Sequence, residues 1–247
     1  MDPAYYVAAG SLKARSFQLD AVSNNLANMN TVAYKPEKSF FSVFNKAASQ
    51  GRGLPLSGYL NDGTVLASQG TDFSQGSLKA TGRSMDLALQ GNGFFMVKTA
   101  SGVRATRDGR LIMATSGQLQ TLDGAAVLGK NGLPITLDKT SDQFTVLADG
   151  TVQQGATTVG QLDLRDYTQP QALQRVGGNR FDPSGSPVKP ASGQVVQGYL
   201  EQSSVDSASC MIDMIRLNRL FEMSTKVAST ITNDMDARSI SDVSTGR

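Results

Sequence analysis

The chain has 247 residues, enough for one large domain or two smaller ones, and its 39% apolar content suffices to bury a core. Its 23 basic and 21 acidic residues nearly balance, with no run of one sign, which argues against a dedicated nucleic-acid surface. There is no histidine, which removes Ser-His-Asp and Cys-His catalysis and the commonest metal ligand together, and no apolar run approaches the ~20 residues of a membrane span.

Asp2-Pro3 offers an N-cap and a first-turn proline, and a helix is predicted from Ala4 to about Asn28. The asparagines at 24, 25, 28 and 30 compete for backbone hydrogen bonds and Lys35-Pro36 forbids continuation, so the helix should stop between Asn28 and Thr31. Tyr5, Ala8, Leu12, Leu19, Val22, Leu26 and Met29 recur at helical spacing and predict an apolar seam along one side. An acidic residue at position 2, with Gly10, Ser11 and Lys13 interrupting the apolar stretch, does not fit a cleaved secretory signal.

From Phe40 to Gln75 the glycines and Pro55 predict an extended or irregular connector, the least ordered part of the chain. From about Ser77 to Tyr199 the punctuation becomes that of hairpins: Asn92-Gly93, Asp108-Gly109, Asp123-Gly124, Asn131-Gly132 and Asp149-Gly150 separate short apolar runs such as Phe94 to Val97 and Phe144 to Leu147. Thr157 to Leu164 alternates with the period of a half-buried strand, and Val195 to Leu200 leads out of the β region. Asp206 or Ser207 can then cap a second long helix, from Ala208 to about Asp236. Along it Cys210, Met214, Leu217, Phe221, Ser224, Ala228, Ile231 and Met235 repeat at steps of three and four without a break.

The expected fold is α+β: long N- and C-terminal helices pair as a coiled-coil-like module and bracket a central all-β domain of antiparallel hairpins. The expected divisions are an N-terminal helix over 1–34, a connector over 35–76, the β domain over 77–203 and a C-terminal helix over 204–247. Leu12, Leu19, Val22, Leu26, Met214, Leu217, Phe221, Ile231 and Met235 are the candidate assembly interface. Cys210, alone and on the seam, reads as a buried inert thiol, and most of the helix cations Lys13, Arg15, Arg216, Arg219, Lys226 and Arg238 as solvated faces or exposed helix pairs.

Chemistry is scarce. Gly124 to Lys130 matches most of a phosphate-binding loop, but Asn131 stands where Ser or Thr is needed and Pro134 blocks the following helix, so a hairpin corner is expected. Gly91-Asn92-Gly93 lacks the third glycine of a dinucleotide fingerprint and precedes a strand instead of following one. Asp86, Asp108, Asp163 and Asp166 are the carboxylates that could serve glycoside chemistry, with Asp86 and Asp163 as an acid and base pair, though nothing in the sequence brings two of them together. No catalytic, cofactor-binding or metal site is expected, and no small-molecule substrate.

Ser23-Asn24-Asn25-Leu26-Ala27-Asn28-Met29-Asn30-Thr31, followed by Tyr34-Lys35, resembles the N-terminal signature of the flagellar rod and hook proteins. Asp72 to Gly76, Thr81-Gly82, Asp86 to Phe95 and Thr106 to Gly109 look like that family's central markers. Gly198-Tyr199-Leu200-Glu201-Gln202-Ser203-Ser204-Val205-Asp206 resembles its C-terminal motif. Ser204 departs from the family's usual Asn, and Leu111 from its usual aromatic. The short interval between Tyr34 and Gln75 is closest to the proximal-rod branch, with the distal-rod and hook branches as near alternatives. The resemblance implies a structural subunit of the rod that crosses the periplasm, assembling with copies of itself and other rod subunits after unprocessed export by the flagellar type III apparatus. A periplasmic glycan-acting enzyme and a secreted adhesin are the rival readings from other classes.

Overall fold

The computed structural model describes residues 3–43, 64–138 and 144–244. Two long helices enclose the strands in sequence, α1 (Pro3–Ala27) and α2 (Ser207–Ser244). Between them lie β1 (Glu37–Val43), β2 (Thr64–Thr71), β3 (Leu78–Ala80), β4 (Leu87–Gln90), β5 (Phe94–Thr99), β6 (Gly102–Thr106), β7 (Leu111–Met113), β8 (Leu119–Thr121) and β9 (Ala126–Val127). They are followed by β10 (Thr145–Val146), β11 (Thr151–Gln154), β12 (Thr157–Gln161), β13 (Leu164–Tyr167), β14 (Gln174–Arg175), β15 (Arg180–Asp182), β16 (Val188–Pro190), β17 (Gln194–Gln197) and β18 (Tyr199–Glu201). Most of the connector expected to be least ordered, 44–63, lies outside the described residues.

The chain divides into two compact units. The helical unit holds α1, α2 and Glu37–Gly70, within which β1 and β2 pair as a two-stranded sheet. The β unit holds Thr71–Val205 together with a short detached piece, Asn28–Pro36. No described helix is long and apolar enough to cross a membrane.

The β unit is organised on β5. Its four consecutive apolar residues face alternately: Phe95 and Val97 enter one cluster with Leu87, Leu89, Leu119, Val127 and Val152, while Phe94 and Met96 enter another with Leu128, Tyr167 and Phe181. A strand covered on both faces needs such an unbroken apolar run, because each face must be dry. β5 pairs antiparallel with β6, β9 and β13, and β15 continues the sheet beyond β6. Phe73 closes the second cluster, edge-on to Phe94 and Phe181 with ring centroids 5.5 and 4.9 Å away.

Tyr167 lies at the bottom of this cluster, where its hydroxyl reaches only the Met96 thioether at 3.6 Å. Burial therefore pushes its pKa up to about 12 from an ordinary 10. Because the folded value is the higher one, its contribution to stability is complete below pH 10 and is lost as pH rises through 12. Absorbance titration at 295 nm should show one late phenolate that Tyr167→Phe abolishes, with alkaline unfolding moved to higher pH in that variant.

The glycine punctuation divides into two kinds. Asp123-Gly124 joins β8 to β9 and Asp149-Gly150 joins β10 to β11, both with positive φ, and Gly132 turns the chain between Gly129 and Leu133. Asp108-Gly109 does not form the expected hairpin. A Cβ on Gly109 would lie 1.7 Å from the Leu87 carbonyl oxygen, so glycine is required there for a close backbone crossing, sealed by Leu87 N–H donating to the Gly109 carbonyl at 2.9 Å. Asn92-Gly93 likewise links strands that do not pair, β4 going to β17 and β5 to other partners. The expected strand over Thr157 to Leu164 breaks at Leu162-Asp163, and that over Val195 to Leu200 breaks at Gly198, whose φ is 80°.

Candidate functional site

Two places carry the residues singled out by the sequence: the helix pair and a buried polar knot inside the β unit.

α2 begins where Asp206 Oδ1 accepts from the Ala208 N–H at 3.1 Å, and it runs to Ser244, beyond the expected end near Asp236. It packs along α1. Cys210, Met214, Leu217, Phe221, Ser224, Ala228 and Ile231 are its shielded residues, the stripe read from the 3-4 spacing, with Leu220 beside it. On α1 the most deeply buried line is Ala14, Ala21 and Asn25, while Leu12, Leu19, Val22 and Leu26 are half-buried beside it. Small residues at a helix contact let the axes approach, so the alanines take the centre and the leucines the flank. Met29 falls past the end of α1, and the side chains of Tyr5, Ala8 and Met235 lie outside the described residues.

Polar contacts fix the register of the pair. Arg15 Nε donates to Ser224 Oγ at 3.0 Å, so this cation bridges the two helices. Cys210 Sγ lies 3.4 Å from the Val22 carbonyl, and burial, reinforced by Asp213 and Asp206, raises the thiol pKa. Alkylation with iodoacetamide should accordingly be slow in the native protein and at least tenfold faster in denaturant. Asn25 of the signature pins β1 to α1: its amide donates to the Glu37 carbonyl and its carbonyl oxygen accepts from the Glu37 N–H, each at 2.9 Å.

α2 has a second apolar face. Met211, Ile212, Ile215, Met223 and Val227 are exposed, Ile212 by 66% and Met223 by 61%. At about 100° per residue, Ile212, Ile215 and Met223 fall on the side opposite the stripe that meets α1, with Val227 on its flank. Arg216, Arg219 and Lys226 are interleaved with them, so this side is amphipathic rather than purely apolar.

In the β unit the signature segments converge on one cluster. Lys35 Nζ donates to Glu201 Oε1 at 2.6 Å and to the Ser74 carbonyl at 2.7 Å, and both charged side chains have no exposed surface. Glu201 Oε1 also accepts from the Gly76 N–H at 3.0 Å, and Arg107 Nη1 donates to Glu201 Oε2 at 3.3 Å. One carboxylate thus faces two buried cations. Burial pulls both Lys35 and Arg107 below their ordinary pKa values, and Glu201 opposes that pull at each. Arg107 also lies over the Phe94 ring, 5.3 Å from its centroid.

Backbone bonds surround the cluster. Ala33 N–H donates to the Glu201 carbonyl at 2.8 Å, Ser204 N–H to the Tyr34 carbonyl at 3.3 Å, and Asp72 N–H to the Pro36 carbonyl at 2.9 Å. Arg175 donates to the Lys35 carbonyl and stacks on Tyr34 and Phe181, and Asn179 Nδ2 donates to the Val32 carbonyl at 2.9 Å. The remaining signature residues serve turns: Thr31 Oγ1 donates to Asn28 Oδ1 at 3.1 Å, and Gly198 donates to the Asp86 carbonyl at 2.7 Å and accepts from Thr81 and Gly82. Val205 N–H donates to Ser203 Oγ at 3.3 Å, Leu200 is half-buried, and Asn24 and Ala27 are exposed. The cluster was not read from the sequence. Its only signal is a lysine and a glutamate lodged among aromatic and apolar residues, Tyr34-Lys35-Pro36 and Tyr199-Leu200-Glu201.

The candidate glycosidic carboxylates each have a cation within 4 Å, closely at Asp163, Asp108 and Asp166 and only loosely at Asp86. Asp163 receives Arg165 through both oxygens, the shortest contact 2.7 Å, and Asp108 receives Arg110 at 2.6 Å. Asp166 meets Lys189 at 3.1 Å, and Asp86 faces Arg83 at 3.9 Å. Among the described residues no group of three or more Asp, Glu or Cys could hold a metal ion.

Comparison with known proteins agrees along the chain. The family model for the flagella basal body rod protein matches residues 6–35, that for the D1 domain of the flagellar hook protein FlgE/F/G matches 88–154, and that for the C-terminal part of the flagellar basal body rod FlgEFG protein matches 196–241. The chain is 34% identical over 233 residues to the flagellar basal-body rod protein FlgF of Caulobacter vibrioides, covering 92% of each. It is 31% identical over 255 residues to FlgG of the same organism, covering 94% of this chain and 96% of that one, and 30% identical to FlgF of Mesorhizobium japonicum over 90% of each. With the signature, the three family models and identity over nearly the full length in agreement, the chain belongs to the flagellar basal-body rod protein family.

Proposed function

We propose that this chain is a structural, non-enzymatic subunit of the proximal flagellar rod, exported by the flagellar type III apparatus and assembled through its terminal helices against copies of itself and other rod subunits. The observation that carries the assembly role is the second apolar face of α2. Among the described residues nothing covers Ile212, Ile215 and Met223 on the side of α2 away from α1, and leaving them in water forgoes about 1.5–3 kcal/mol each. The half-buried flank of Leu12, Leu19, Val22 and Leu26 offers a further apolar strip on α1, and Met214, Leu217, Phe221 and Ile231 complete the interface by holding the two helices as one surface.

The proximal position is supported by the short interval between Tyr34 and Gln75. Similar identity to FlgF and FlgG relatives keeps the distal rod as the second reading. Ion pairing of Asp86, Asp108, Asp163 and Asp166 with cations favours a structural role for these carboxylates over glycan cleavage. Deleting the gene should abolish swimming, and the chain should be recovered in basal bodies purified from the parent strain. Normal motility of the deletion strain, or recovery of the chain only as a free secreted protein, would overturn the rod role in favour of the adhesin reading.

A further inference from the structure

The Asn28–Pro36 segment is attached to the β unit in an unusual way. Ala33, Tyr34 and Pro36 are buried, yet neither apolar cluster of that unit contains a side chain from the segment. The directional contacts that hold it are polar: the Lys35 ammonium on Glu201 and Ser74, the Ala33 N–H on the Glu201 carbonyl, the Tyr34 carbonyl on Ser204, and Arg175 and Asn179 on the Lys35 and Val32 carbonyls. One backbone position is also strained. Ala33 sits at φ 57°, a conformation that L-residues rarely adopt and that persists only while its surroundings hold it.

We propose that Asn28–Pro36 is a latch that docks on and releases from an otherwise folded β unit, with Glu201 as its keeper. The ion cluster makes docking all-or-none. A half-docked latch would bury Lys35 without its carboxylate, an arrangement that a low-dielectric interior penalises heavily. Once released, the segment becomes a nine-residue tether between α1 and β1, both of which belong to the helical unit. Docking also requires that Glu201, close to the last helix, be in place on β18, so the latch closes only after nearly the whole chain is present. The latch is a property of the monomer. Its use, allowing the helical arm to change partners as a subunit enters the rod, rests on the function proposed above.

Hydrogen exchange on the full-length monomer tests the latch separately from that role. In the wild type, the Ala33 and Ser204 amides should exchange at least tenfold faster than Met96 and Leu128, whose amides bond inside the core sheet. Glu201→Gln should accelerate the first group at least tenfold more than the second, which follows the unfolding of the whole unit. Arg175→Ala removes a latch contact without stranding a buried charge, and it should shift the balance the same way if Glu201→Gln fails to fold. Equal exchange of the two groups in the wild type, a parallel rise of both in Arg175→Ala, or no change of the first group in that variant would each show that the segment and the core are one cooperative unit, and would overturn the latch.

Discussion

Replacing Glu201 with alanine is expected to destabilise the β unit by about 3–5 kcal/mol, the cost of leaving buried charges without their partner. The effect is large because the single carboxylate serves two cations, and Lys35 and Glu201 have no exposed surface through which water could compensate. Against a typical domain stability of about 5–15 kcal/mol, this takes a third or more of the total. Chemical denaturation followed by tyrosine fluorescence should show the midpoint falling by that amount, with more modest effects from exposed substitutions on the same unit. A triple replacement, Lys35→Met with Arg107→Met and Glu201→Leu, separates charge from packing. It should recover most of the loss, because no ion is left stranded, but not all of it. The Gly76 N–H and the Ser74 carbonyl lose their partners, at about 1–3 kcal/mol for each buried group that finds no other. If alanine at 201 cost less than 1 kcal/mol, the cluster would contribute little to holding the β unit together.

The second large effect is expected on assembly. Ile215→Asp combined with Met223→Asp alters only the side of α2 turned away from α1, so the monomer's helical circular dichroism and thermal midpoint should stay close to wild type. Assembly should fail. Each side chain is worth about 1.5–3 kcal/mol when buried, and a desolvated carboxylate adds a penalty, so the pair should weaken subunit association at least a hundredfold. Swimming in soft agar should be lost while the protein remains folded and abundant. Leu217→Asp is the contrasting variant: it lies in the stripe against α1 and should lower the thermal midpoint of the helical unit itself. If both variants swam normally, neither side of α2 would be an assembly surface.

The elements differed in how far the sequence disclosed them. The α2 stripe was readable to the residue, because seven positions from Cys210 to Ile231 follow the 3-4 spacing and an exposed helix buries little else. The doubly buried β5 could be located, since four consecutive apolar residues leave no polar face. On α1 hydrophobicity marked Leu12, Leu19 and Leu26, which are half-buried, but carried little signal of the more deeply buried Ala14 and Ala21 or of Asn25 as a clamp on Glu37. Asp108-Gly109 shows why an Asp-Gly pair is an incomplete signal, for a glycine needed beside the Leu87 backbone has the same letters as one needed for positive φ. The outward face of α2 was missed because the inner stripe accounted for the periodicity and the interleaved cations masked the rest. The Lys35–Glu201–Arg107 cluster could not be read at all. Its members are 166 and 94 positions apart from Glu201, and local composition carries no information about which distant charge will neutralise which.

The most direct test of the assembly account is a photo-crosslinking amino acid placed at Ile215 in cells that build flagella, with irradiation followed by purification of intact basal bodies. The account predicts a covalent adduct between this chain and another rod subunit, either a second copy of itself or a relative of the same family, absent when the probe replaces the shielded Ala14 on α1. Recovery of the chain in basal bodies with Ile215 crosslinked only within its own chain, or to nothing, would contradict the claim that this face of α2 joins neighbouring subunits.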